Sequence, residues 1–212
     1  MEYPIEALFQ EAQERFSVHD VIREGVSLVF LLESPHVDEL TFNAPLAGSS
    51  GRSVTKILTD QAETLPFGRL LAQEKDHDLY RRIGIMNVCS FPLQQAAIQD
   101  VQFTSSHASF FTIANKVRTA NERTHYKNEE WNTFQHVMQR HFQQRLKRLQ
   151  KQPLILVPCG KFAQKHLLLS GITSEQWRII WDVPHPSYNA WSKDRYAPNI
   201  QKVKEAFTSL KT

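Results

Sequence analysis

The chain has 212 residues, 41% of them apolar, and a formal net charge of +3. That length and composition fit a folded domain with a proper core and argue against disorder. The small positive charge permits nucleic acid as a partner without demanding it. Its two cysteines, Cys89 and Cys159, have no CxxC spacing, which argues against a cysteine-built metal cage.

Met1-Glu2-Tyr3-Pro4 shows no basic-then-apolar leader, and no apolar run is long enough to span a bilayer. A cytoplasmic protein without membrane contact is expected. Residues 4–16 place Ile5, Leu8, Phe9, Ala12 and Phe16 at helical spacing. Residues 26–32 are short and mostly apolar, which predicts a strand buried on both faces. Polar Glu33-Ser34-Pro35-His36 follows, then Asp38-Glu39, then a small-residue turn at 48–51. Ser49 or Ser50 is expected to cap a helix through Val54, Ile57 and Leu58. Residues 83–89 predict a second strand, with Asn87 near its end and Phe91-Pro92 stopping it. Residues 91–132 read as a polar excursion with one or two short helices. A long basic helix over 131–149 follows, its Arg140, Arg145, Lys147 and Arg148 read as a solvated face. Residues 153–158 predict a third strand, turning at Cys159-Gly160-Lys161 into a helix over 163–169. Residues 178–183 predict a fourth, which delivers Pro184-His185-Pro186-Ser187-Tyr188. Residues 197–210 read as a last helix.

Strands alternating with helices predict a three-layer α/β/α sandwich with a short, mainly parallel central sheet, one domain over 1–212. Ligands of such sheets bind beyond the carboxyl ends of the strands. The loops after the strands, with Asn87, are therefore expected to meet at one edge.

In these motifs the chain resembles the uracil-DNA glycosylase superfamily. Glu33-Ser34-Pro35-His36-Val37-Asp38-Glu39, then Pro45-Leu46-Ala47-Gly48-Ser49-Ser50-Gly51, is similar to the first motif of its iron–sulfur branch, Gly-Glu-Ala-Pro-Gly with acids after it. Asn87 is similar to the asparagine that ends the second core strand, and His185-Pro186-Ser187 to the last motif. Gly160-Lys161-Phe162-Ala163 is similar to a strand-to-helix turn of the family. The chain departs from the pattern at four places, one of them His36 after Pro35, where glycine or tyrosine is usual. It has two cysteines where the cluster needs four, so no cluster, other cofactor or metal is expected. Leu46 stands where a phenylalanine stacks on the base, and Ser34 where the most efficient branch has aspartate.

The resemblance implies DNA, single- or double-stranded, as the partner, and a flipped base whose N-glycosidic bond is cleaved. His185 is the expected donor to the leaving base, and Asn87 offers the donor and acceptor that read its edge. Glu33 and Ser34 are expected to place water, with Glu39 and Asp38 as further acids. Pro35, His36, Leu46 and Asn87 would form the base pocket. Ser49, Ser50 and Ser187 would grip phosphates, and Tyr188, Asn189, Trp191, Lys193 and Arg195 would contact DNA beside the emptied stack. The plainer roles stay open: a helix cap for Ser49, strand-end satisfaction for Asn87, aromatics folded inward after His185.

Hydrolysis of uracil or a related damaged base in DNA by a monomer is the leading expectation. A superfamily member that binds a base, nucleotide or single strand without turnover is the first alternative. A hydrolase of nucleosides or other small molecules is the second.

Overall fold

The computed structural model describes residues 4–60, 65–74 and 76–211; Met1–Tyr3, part of the leader expectation, lie outside them. Helix α1 spans Ile5–Phe16 and strand β1 Leu28–Leu32. Four helices follow: α2 (Val37–Phe42), α3 (Ser49–Thr59), α4 (Phe67–Gln73) and α5 (Asp78–Arg81). Strand β2 (Ile83–Asn87) leads to α6 (Val101–Ser106), α7 (Ala108–Thr119) and α8 (Glu129–Lys147). Strand β3 (Leu154–Pro158), α9 (Gly160–Ser170), β4 (Trp177–Ile179) and α10 (Ala197–Thr208) complete the order.

The four strands form one sheet in the order β2-β1-β3-β4, every pairing parallel. Strand side chains alternate between faces, and β1 shows the result. Val29 and Leu31 enter a core with α1, α6, α7, α8 and α9. Leu28, Phe30 and Leu32 enter a second core with α3, α4 and α10. This is the expected three-layer α/β/α sandwich, with β1 buried on both faces. Leu32 pairs with Asn87 and Leu31 with Pro158, so the loops after β1, β2 and β3 emerge at one edge.

Some expected boundaries shift for local reasons. Strand β4 ends at Ile179, not Val183, because Asp182 turns left-handed at φ 60°. Val183 rejoins the sheet edge as an isolated bridge to Cys159. Neither Ser49 nor Ser50 caps α3: both lie inside it, the N-cap position is Gly48, and no side chain caps it. The basic face of α8 is not wholly solvated. Arg145 turns inward, bonding Asp20 at 2.8 and 3.0 Å and the Val88 carbonyl at 2.6 Å.

Candidate active site

A cleft of about 780 Å3 opens at the carboxyl edge of the sheet. Its walls come from the loop after β1, the amino end of α3, the end of β2, the end of α7 and the loop after Val183. Glu33, Ser34, His36, Leu46, Ser49, Ser50, Asn87, His185, Ser187, Tyr188 and Asn189 all line it. Segments far apart in sequence meet because parallel strands deliver them to the same edge.

Asn87 is 2% exposed, and both its side-chain oxygen and nitrogen lack a hydrogen-bond partner among the described residues. Leaving such groups unpaired costs about 1–3 kcal/mol, so a buried amide with both ends empty at a cleft is a candidate ligand contact. Strand-end satisfaction, the plainer role, is not what this side chain does.

His185 reaches the cleft through a tight fit. Gly160 adopts φ 87° where β3 passes into α9, and its N–H donates to the Val183 carbonyl at 2.8 Å. Gln164 Nε2 donates to the Pro158 and Val183 carbonyls and so ties the two strand ends together. The Ser187 N–H donates to His185 Nδ1 at 3.2 Å. A nitrogen that accepts an amide proton carries none itself, so neutral His185 has its proton on Nε2. Burial holds the imidazole neutral, down to about 4.

The acids divide by role. Glu33 lines the cleft and meets Arg118 at 3.2 Å; burial raises its carboxyl while the guanidinium pulls it back down. Glu39 also lines the cleft, but both its oxygens are engaged by backbone. Its oxygens accept the His36 N–H at 2.7 Å and the Leu46 N–H at 2.5 Å, and burial raises it to about 7. It thereby braces the turn that holds Leu46 at φ 54°. Asp38 packs against Gly48, where any Cβ would collide with its carboxylate.

The Leu46 loop lies on glycine-lined helices. A Cβ on Gly51 would strike the Leu46 carbonyl, and one on Gly68 the Pro45 carbonyl. Leu46 itself is 5% exposed, at the base of the cleft wall. Pro35 is buried in the turn between Ser34 and His36.

The loop after His185 splits. Tyr188 is 92% exposed at the cleft rim, and it and Asn189 both adopt φ 53°. Trp191, expected to contact DNA, is instead 3% exposed. Its indole N–H donates to the Pro184 carbonyl at 2.8 Å and its ring lies 6.0 Å from Phe30, so it anchors the loop to the core. Lys193 and Arg195 are exposed on the surface that follows.

Three polar cleft residues were not foreseen from sequence, Ser53, Gln94 and Arg118. Ser53 lies on α3, and Gln94 and Arg118 belong to the excursion, which the packing of α7 makes a wall of the cleft.

The family model described as Uracil DNA glycosylase superfamily matches residues 19–211. The chain belongs to this superfamily. No curated protein matches it. Membership supports a DNA glycosylase-like function, with DNA as the partner, at the level of the family. The uracil DNA glycosylase match runs through every segment that walls the cleft, from the loop after β1 to that after Val183. Among the described residues no helix is long and apolar enough to cross a membrane.

Proposed function

We propose that the protein hydrolyses the N-glycosidic bond of uracil or a related damaged base in DNA. The observation that carries this reading is the buried, unpartnered amide of Asn87 in the same cleft as a neutral His185. A pyrimidine edge with one N–H and one carbonyl satisfies both ends of that amide.

The chemistry follows from charge. As the C1′–N bond breaks, its electron pair leaves with the base and the sugar becomes cationic. The Nε2–H of His185 donates to the oxygen where negative charge gathers; a neutral donor gives up no proton and adds no charge to the ground state. Water held by Ser34 and Glu33 forms the new bond to C1′, and its proton passes to the Glu33 carboxylate. Leu46 packs against the ring. His36, exposed at the rim, is a further base contact.

The base must leave the stack to reach such a pocket. Tyr188 and Asn189 fill the space it vacates. Ser49, Ser50 and Ser187 meet phosphates, helped by the uncapped amino end of α3. Lys193 and Arg195 add positive charge beside them.

The test is a glycosylase assay on end-labelled oligonucleotides carrying uracil, hypoxanthine, xanthine or a G·T mismatch, single- and double-stranded, with alkali cleavage of abasic sites. Cleavage by the wild type that is lost in His185→Ala supports the reading and names the base. No cleavage at high enzyme excess sinks excision of those bases. Tight binding of a base-bearing oligonucleotide without product would then favour the non-catalytic alternative.

A further inference from the structure

Arg118 stands outside every motif described above, yet it lines the cleft and pairs with Glu33. We propose that Arg118 is the positioning residue for Glu33, holding its carboxyl anionic and leaving one oxygen, Oε2, to face water. This inference rests on the excision reading of the same cleft.

The geometry is specific. Arg118 NH1 meets Glu33 Oε1 at 3.2 Å, and its Nε donates to Asn115 Oδ1 one helical turn earlier at 3.1 Å. The guanidinium is therefore held at two points, and both partners of the ion pair are largely buried, with side chains 23% and 21% exposed. A long surface arginine loses entropy when it pairs, and such pairs are worth little. Here the cost of fixing it is met by the fold.

The end of α7 that carries Arg118 is fastened from behind. Lys165 of α9 donates to the Ala120 carbonyl at 3.2 Å and to the Tyr126 hydroxyl at 2.7 Å. That hydroxyl donates to Gln135 Oε1 of α8 at 3.1 Å, and Gln135 Nε2 donates to the Thr124 carbonyl at 2.7 Å. Phe110, Phe111 and Val117 of α7 are buried in the core beneath. Arg118 is thus presented at a fixed place, as a preorganised charge must be.

The electrostatics require such a partner. Asp38 and Glu39 of α2 line the same cleft, and Glu39 holds its proton up to about 7. His185 is neutral there, and beside Glu33 the buried Cys89 thiol is pushed up to about 12. His36 and Tyr188 at the rim complete the titratable groups of the wall. Arg118 is the guanidinium that faces Glu33, and burial without it favours the protonated acid, which accepts no proton from water.

The experiment compares wild type, Arg118→Ala, Arg118→Lys, Glu33→Gln and the Arg118→Ala/Glu33→Gln double variant. Single-turnover rates are measured from pH 5 to 9, and the Glu33 carboxyl is followed by carbon NMR in protein labelled at glutamate. In Arg118→Ala the NMR midpoint of Glu33 and the acid limb of the rate are expected to rise together by about 1–3 pH units. Arg118→Lys should recover part of both, and Arg118→Ala should add nothing to the rate loss of Glu33→Gln. An unmoved Glu33 midpoint overturns the proposal. So does a loss confined to KM with a shallower salt dependence, which would make Arg118 a phosphate contact. A wild type that cleaves nothing instead defeats the excision reading, and the NMR titration still decides the Arg118–Glu33 relation.

Discussion

A Cβ placed on Gly160 would lie 2.9 Å from the Cβ of His185. The start of α9 and the His185 loop are packed so closely that hydrogen is the only side chain the contact accepts. Gly160→Ala meets two penalties. At φ 87° an alanine is strained by about 1–2 kcal/mol, and the new methyl pushes His185 away from its place. The variant is expected to fold with a Tm lower by about 2–8 °C. Its excision rate should fall by about 100-fold, the cost of a misplacement on the order of 1 Å. Thermal melts and single-turnover rates on the same preparation check both.

Asn87 trades stability for function. Its amide is buried with both ends unpaired, so Asn87→Leu removes two orphaned polar atoms and adds apolar contact. The variant should be as stable as the wild type or more so, by about 1–2 kcal/mol. Excision should disappear. Urea unfolding alongside the cleavage assay tests the pair of outcomes; a destabilised Asn87→Leu would show that the amide has a structural partner after all.

The strands, Asn87 and the His185 loop were legible because short apolar runs bounded by Pro, Gly and polar residues announce buried parallel strands and their ends. The roles of Glu39 and Trp191 were not. Both are chemically suited to a site, and only three-dimensional packing shows that Glu39 serves two backbone N–H groups and Trp191 the core. Arg118 was hidden for the same reason. It sits 85 residues from Glu33, in a polar stretch with no strand to place it, and its reach depends on how α7 lies against α8. The expected fourth strand overran because Asp182 adopts a left-handed turn that apolar patterning does not encode.

Behind Asn87 the edge of β2 is held by charge. Asp20 accepts the Asn87 backbone N–H, Arg145 pairs with Asp20, and the same guanidinium grips the Val88 carbonyl. Burial raises the Asp20 carboxyl and Arg145 opposes that rise. Arg145→Met strips a buried carboxylate of its partner and should cost about 3–5 kcal/mol, far more than a surface pair. The double variant Asp20→Leu/Arg145→Met should regain much of this stability, because it leaves no lone charge. Denaturant midpoints of the two variants check the order.

His185 makes stability depend on pH. Its folded value is about 4, against an ordinary histidine near 6.5. Between those values the unfolded chain binds a proton at this site that the folded chain does not. Stability therefore falls as pH drops through that window, by on the order of 3 kcal/mol from this group, and the loss is complete once pH is below the folded value. His166, buried and held at about 3, acts in the same direction. His185→Gln should lose less stability than the wild type between pH 7 and 4. Equal losses in paired urea titrations would mean that the imidazole is already charged in the folded protein.

Tyr188 separates DNA contact from chemistry. The ring is almost fully exposed, on a loop held at φ 53° at two successive residues while Trp191 pins its far end to the core. A large aromatic in water at the rim of a cleft gains nothing for the fold, so Tyr188→Ala should shift stability by no more than about 0.5 kcal/mol. Stacking of one base on an aromatic ring is worth about 1–3 kcal/mol. Oligonucleotide binding should then weaken by about 5- to 150-fold, while binding of the free base, which is read by Asn87, His185, Leu46 and His36 and not by Tyr188, should be unchanged. Fluorescence anisotropy with a labelled oligonucleotide and calorimetry with the base test the two halves. A loss of free-base binding would place Tyr188 in the pocket itself and not at the gap left in the stack.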